Sequence, residues 1–259
     1  MISVPVLILA GSRPGPDPLL GGTGLSSKAL LPIAGIPMLA RVLQAIVAAP
    51  EIGEIIVVAQ DTAPLQADPH ITAAAPTVVW RNAPGSIADA VRGAIEYASG
   101  PLLVTTADNV LLTPAMLAQF VNEAGGSDIA VGLVERDRVA AAEYSTQRTW
   151  LKFRGGHWSG ANLFWLGGRE VIPVVEFWRS LEQDRKKGMK IVGAFGPGLL
   201  IAALLRLIDI HAFARQVAHR FGLSAKVVSM EAAEACIDAD KPSDIPVIEA
   251  ILAKRSQAA

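Results

Sequence analysis

Short apolar runs alternate with helical patterns through the first half of the chain. Val4–Leu9, Glu54–Ala59, Thr77–Trp80, Pro101–Thr106 and Ile129–Glu135 have strand length and are bounded by polar or turn-forming residues. Between them, Pro37–Ala48, Ser86–Ala98 and Pro114–Ala124 carry the spacing of amphipathic helices. Start signals support these segments: Thr113 offers a capping hydroxyl before Pro114, and Ser86 precedes its helix in the same way. Strands alternating with helices predict an α/β fold, with a mixed, mostly parallel sheet and helices on both faces. Ligands in such sheets sit at the carboxyl ends of strands, where the loops after Leu9 and Thr106 lie.

From Arg148 the pattern changes. Thr149–Phe153, a turn at Gly155-Gly156 and Asn162–Leu166 predict a hairpin. Ile172–Asp184 and Leu199–Phe221 are helical and rich in apolar residues, Ala225–Met230 is a strand, and Pro242–Ala253 is a closing helix. Arg185-Lys186-Lys187 reads as a cationic last turn matching a helix dipole. The expected organisation is one domain over 1–259, in three stretches: an alternating half at 1–135, an insertion with helices at 136–230, and a closing segment with the final helix at 231–259.

The most membrane-like segment starts at Gly198, but Arg206 and Asp209 interrupt it well short of the roughly 20 apolar residues a span needs. It predicts a buried core helix, with peripheral membrane contact as the alternative. The apolar run at the N-terminus lacks a basic region before it and is too short for an ordinary signal peptide.

A hydrophobic content of 51% against 18% charged residues is ample for a large core. The net charge of -1 provides no global basic field, so no nucleic-acid partner is expected. Cys236 stands alone, which excludes an intrachain disulfide and predicts a small buried hydrophobe. A cytoplasmic location fits this cysteine usage.

Candidate chemistry sits in three places. The loop after the first strand is rich in Gly and Pro and carries Arg13 and Lys28. Its backbone amides and cations suit a phosphate cradle, and an ordinary surface loop is the alternative. In L-L-V-T-T-A-D-N, Asp108 follows an apolar strand, where a carboxylate can hold Mg2+ or shape a turn. In A-C-I-D-A-D-K-P-S-D-I, Asp238 and Asp240 alternate and face opposite sides, so one of them reaches a given metal. Asp244 suits the start of the last helix, and Lys241 and Ser243 read as solvated boundary residues. Trp150, Trp158, Trp165 and Trp178 read as core residues, with a pocket lining as the alternative. The four histidines show no ligand spacing, and no G-x-S-x-G elbow is present.

Taken in order, L-I-L-A-G-S-R…S-K-A-L-L-P-I-A-G-I-P-M-L, V-T-T-A-D-N-V-L-L-T-P, W-S-G-A-N-L-F and I-D-A-D-K-P-S-D-I resemble the motifs of nucleotidyltransferases with a GT-A-like fold. These include molybdenum cofactor guanylyltransferase-like proteins and sugar- or polyol-phosphate nucleotidyltransferases. The resemblance implies a Rossmann-like three-layer sandwich and a Mg2+-dependent transfer of NMP from an NTP to a small phosphorylated alcohol or sugar, with release of pyrophosphate. It implies that Gly11, Ser12 and Arg13 contact phosphates, that Lys28 lies on the α-phosphate side, and that Ala10, Gly85 and Ser86 lie near the base. Asp108 and either Asp240 or Asp238 would bind Mg2+, while Gly160 and Asn162 would face the acceptor. A nucleotide-sugar glycosyltransferase and a non-catalytic nucleotide-binding protein are the alternatives.

Overall fold

The computed structural model describes residues 3–11, 15, 17–83, 85–183 and 192–258. Its centre is an eight-stranded sheet. The path runs β10 (Ala225–Ser229), β7 (Ile129–Glu135), β9 (Gly156–Leu166), β6 (Leu102–Thr106), β1 (Val4–Leu9), β4 (Ile52–Ala59) and β5 (Val79–Asn82), and β8 (Leu151–Phe153) pairs with β9 off this path. β5, β4, β1 and β6 are mutually parallel, as are β10 and β7. β9 runs antiparallel between β6 and β7. The loops after β1, β4, β5 and β6 therefore open on one edge, where the sequence pattern expects a ligand.

Side-chain alternation along the strands divides the core. Val6 and Ile8 of β1, Ile55 and Val57 of β4, and Leu103 of β6 face one layer with α1 (Met38–Val47), α5 (Pro114–Ala124) and residues of the last helix. Leu7, Ile56, Val58, Leu102 and Val104 face the other, with α4 (Ile87–Ala98) and α7 (Ile172–Gln183). Strands buried on both faces explain why these runs are continuously apolar. The capping signals behave as the sequence predicts. Thr113 Oγ1 accepts from Met116 N at 3.2 Å, and Ser86 with Asp89 forms a reciprocal capping box.

Several boundaries move. The edge strand is Val79–Asn82 rather than 77–80, because its register follows β4 through the polar residues Arg81 and Asn82. Three short helices, α2 (Ala63–Gln66), α3 (Pro69–Ala74) and α6 (Arg136–Ala141), lie in stretches without a strong helical period. The stretch 199–221 is two helices, α8 (Pro197–Leu204) and α9 (Ile210–His219), rather than one. Arg206 takes a left-handed φ of 56°, and Asp209 caps the second helix by accepting from Ala212 N at 2.8 Å. Nor is α8 a buried core helix, since Leu199 is its one buried residue. The last helix, α10 (Asp244–Ala258), starts two residues later and runs further than expected. Arg185-Lys186-Lys187 lies outside the described residues.

Phe120 of α5 is fully buried under the sheet, with Cδ2 3.4 Å from where a Cβ on Gly132 of β7 would stand. Its ring fills the space that this glycine leaves. Phe120→Ala should lower unfolding stability by about 3–5 kcal/mol, read as a reduced urea midpoint at unchanged slope.

Candidate active site

The carboxyl edge is built first by backbone. Ala10 N donates to Val58 O at 2.8 Å and Ala107 N to Leu9 O at 3.0 Å, so the loops after β1, β4 and β6 leave the sheet side by side. Asp108 follows at once. Its Oδ1 accepts from Thr106 Oγ1 at 2.5 Å, and its carbonyl accepts from Ala239 N at 3.1 Å. That second bond ties the Cys236–Lys241 segment to the β6 loop, between Asp238 and Asp240. Beneath it Asn109, 1% exposed, donates Nδ2 to Ala161 O at 3.0 Å and fixes the turn to β9.

Lys28 enters from a short 3-10 turn, Lys28–Leu30, whose preceding Ser27 hydroxyl accepts from Ala29 N at 3.2 Å. Lys28 Nζ lies 2.8 Å from Asp108 Oδ2 and 3.0 Å from Asp240 Oδ1. Burial disfavours the ammonium, but Asp108 and then Asp240 outweigh it and raise the Lys28 pKa. Three residues far apart in sequence thus converge on one point of charge.

Asp238 turns away, as the alternation predicts. Its carboxylate is ion-paired with Arg148 through Oδ1 and accepts from Asn162 Nδ2 at 2.9 Å through Oδ2. Arg148 spreads its fork further, donating Nη2 to Asp244 Oδ1 at 2.6 Å. The other oxygen of Asp244 accepts from Asp240 N at 3.1 Å and Lys241 N at 2.9 Å. Asp244 is therefore a structural clamp at the start of α10 that also sets the Asp240 backbone. Burial, then the nearby Asp240 and Asp108 charges, push the Asp238 pKa up, against the pull of Arg148 and Asn162.

Asn162 reaches this network through a β-bulge. The register between β7 and β9 shifts between Val131 and Leu133, and Asn162 has a left-handed φ of 51°. Asparagine tolerates that conformation, and the bulge redirects its amide to Asp238. Gly160 lies on the same strand opposite Leu133, exposed, with open space where a Cβ would stand.

The remaining predicted residues are placed as follows. Ala10 is buried at the end of β1. Gly11 sits beneath the Gln60 side chain, whose Oε1 is 2.8 Å from the position of a Cβ. Gly85 and Ser86 follow β5 on the same edge, but the Ser86 hydroxyl is engaged with Asp89. Ser12 and Arg13 lie outside the described residues. Trp158 and Trp165 are buried and Trp150 packs against the core, whereas Trp178 is exposed. Cys236 is buried, and burial pushes its thiol to about 11, so it is a core residue rather than a nucleophile.

Arg148 was not foreseen from the sequence. No motif surrounds it, and its partner Asp238 lies 90 residues away. Among the described residues, no group of three or more His, Cys, Asp or Glu side chains is gathered as a metal site. No helix among them is long and apolar enough to cross a membrane.

The sequence profile described as the MobA-like NTP transferase domain matches residues 6–194. Among solved structures, a hypothetical transferase from Thermus thermophilus superposes with a TM-score of 0.79 at 23% identity, covering 94% of this chain and 100% of its own. A CMP:2-keto-3-deoxy-manno-octonic acid synthetase complexed with CTP gives 0.55 at 14% identity, covering 98% and 100%. A 4-diphosphocytidyl-2C-methyl-D-erythritol synthase gives 0.59 at 14%, covering 97% and 99%. These likenesses establish a shared nucleotidyltransferase-type fold. None of the curated proteins matches the sequence significantly.

Arg148, with its side chain 7% exposed, holds two carboxylates that are themselves largely shielded. Arg148→Met should cost about 3–5 kcal/mol in urea unfolding, because it strands buried negative charge. Arg148→Lys should not restore the loss, since an ammonium lacks the planar fork that reaches both aspartates.

Proposed function

We propose the reaction of this chain from one premise: it belongs to the MobA-like NTP transferase family and is a nucleotidyltransferase. The proposal is transfer of a nucleoside monophosphate from an NTP to a small phosphorylated alcohol or sugar. A phosphate oxygen of the acceptor attacks the α-phosphorus. A new phosphorus–oxygen bond forms as the bond to the bridging oxygen breaks, and pyrophosphate leaves with that electron pair. The acceptor phosphate has a second pKa near 6 and is largely ionised at neutral pH, so no histidine base is required. The remaining demand is alignment and charge neutralisation.

The observation that carries this reading is the convergence of Asp108 and Asp240 on the Lys28 ammonium. Two carboxylate oxygens already stabilise a cation at that point, and an all-oxygen donor set suits Mg2+. A pair of carboxylates with substrate phosphates and waters is its usual site, so three gathered acids are not needed. Asp108 and Asp240 are therefore the proposed Mg2+ ligands, with Asp238 as a structural partner of Arg148. When bound, Mg2+ supplies charge neutralisation on the triphosphate. Lys28 would bind the α-phosphate side, joined by Arg13. The Gly11 and Ser12 amides would orient the phosphates, and Ala10, Gly85 and Ser86 would border the base. Gly160 and Asn162 would face the acceptor, where the open space over Gly160 leaves room for a small molecule.

Pyrophosphate release should be observed with at least one of the four NTPs over a panel of sugar and polyol phosphates with Mg2+. EDTA should abolish it and added Mg2+ restore it. No turnover across the panel, together with no NTP-induced rise in melting temperature, would overturn the reading. Asp108→Asn and Asp240→Asn should each lower kcat about a hundredfold or more. Asp238→Asn should have a smaller effect on kcat, and the reverse ranking would move the second ligand to Asp238.

A further inference from the structure

Helix α8 has the sequence P-G-L-L-I-A-A-L and is apolar on every side, yet only Leu199 is buried. Ile201 is 53% exposed, Leu204 80%, Leu205 61% and Leu207 62%. A helix that is apolar all round belongs inside a core or a lipid phase, and this one packs its Leu199 side on the protein but leaves Ile201 and Leu204 uncovered. Cations stand at both of its ends. The Arg220 guanidinium lies 3.3 Å from where a Cβ on Gly196 would stand, just before the helix begins. Arg206 follows its last turn, exposed and held in a left-handed conformation that ends the helix. Arg154 is joined to the same corner, with its backbone N donating to Ile208 O at 3.0 Å and its side chain ion-paired with Asp209 at 3.4 Å. Arg154 and Arg206 line one shallow pocket with His157, in which Asp137 is the acid.

The charge of the whole chain is divided along the sequence. Residues 185–220 hold seven Lys or Arg and one acid, Asp209, whereas the rest of the chain holds 16 Lys or Arg and 23 Asp or Glu. Four of the seven, Arg185, Lys186, Lys187 and Lys190, lie outside the described residues; Arg206, Arg215 and Arg220 accompany the exposed leucines, against the one acid Asp209.

We propose that α8 and the turn at Leu205–Leu207 dock the protein on an anionic lipid surface. In this arrangement Ile201, Leu204, Leu205 and Leu207 enter the acyl boundary while Arg206 and Arg220 meet headgroup phosphates. Apolar insertion and electrostatic attraction together are the two signals that reversible membrane binding requires. A second copy of the chain fits this face less well. A two-fold contact sets the same patch against itself and brings the cationic ends of two α8 helices together. The docking is independent of the transferase reading, because it needs neither nucleotide nor acceptor.

The full chain should co-float with vesicles of phosphatidylglycerol and phosphatidylcholine, and weakly or not at all with phosphatidylcholine alone. Raising the salt concentration should weaken the association. The triple variant Leu204→Ser, Leu205→Ser, Leu207→Ser should lose at least about tenfold in vesicle affinity. Its melting temperature should be unchanged, since these side chains are already in water. Arg206→Glu should lose about tenfold at low salt through charge reversal. No flotation with anionic vesicles at low salt would overturn the proposal, as would full binding by the triple variant. A dimer in sedimentation that the triple variant converts to monomer would also overturn it, because a second copy would then cover the face. Pyrophosphate release is measured without vesicles, so failure of docking and failure of the transferase reading are read separately.

Discussion

The site depends on a single ammonium group held between two carboxylates. Lys28, Asp108 and Asp240 come from the first, middle and last parts of the chain; the parallel order of β1 and β6 brings the first two loops to one edge, and the bond from Ala239 N to the Asp108 carbonyl ties the third there. Burial works against the Lys28 charge, and the carboxylates overcome it. The cluster holds positive and negative groups ready-oriented, and in the proposed reaction a polyanion and its cation would exchange partners there. Water does not have to be reorganised around freely moving charges when a substrate arrives, which is the physical content of electrostatic preorganisation.

Around that cluster, Arg148 enforces a division of labour between two adjacent aspartates. Asp238 and Asp240 are separated by one residue in an extended segment and so point apart. Arg148 and Asn162 fasten Asp238, while Asp244 holds the Asp240 backbone from the start of α10. The Ala239 bond to the Asp108 carbonyl lies between them. The exposed Asp240 side chain keeps freedom to exchange partners, and the shielded Asp238 does not. A buried Arg shared by two acids contributes little net stability over an apolar replacement of the whole group, so its role here is to fix geometry.

The centre of the sheet was legible because β1, β4 and β6 are buried on both faces, and α4 and α5 because Ser86 and Thr113 cap them. Val4–Leu9, Ile129–Glu135 and Pro114–Ala124 have the bounds the pattern predicts. Of the site, the convergence of Lys28 and Asp108, and the separation of Asp238 from Asp240, follow from the motif order and the period of two. Arg148 was not legible, because a guanidinium 90 residues from its partner leaves no local pattern. The stretch 199–221 misled for a different reason. Its hydrophobicity is continuous, and hydrophobicity reports the wish for an apolar neighbour without saying whether the protein itself provides one.

That distinction links the two ends of the molecule. At the carboxyl edge the chain answers its own buried charges, each aspartate meeting Lys28, Arg148 or a backbone amide. At α8 it leaves an apolar demand unanswered and places arginines at the helix ends rather than a covering element. An unmet demand on this scale would favour aggregation in a protein that stayed in water. The same cationic excess that repels a second copy also attracts an anionic surface, so the charge distribution selects among the partners that the leucines alone would accept.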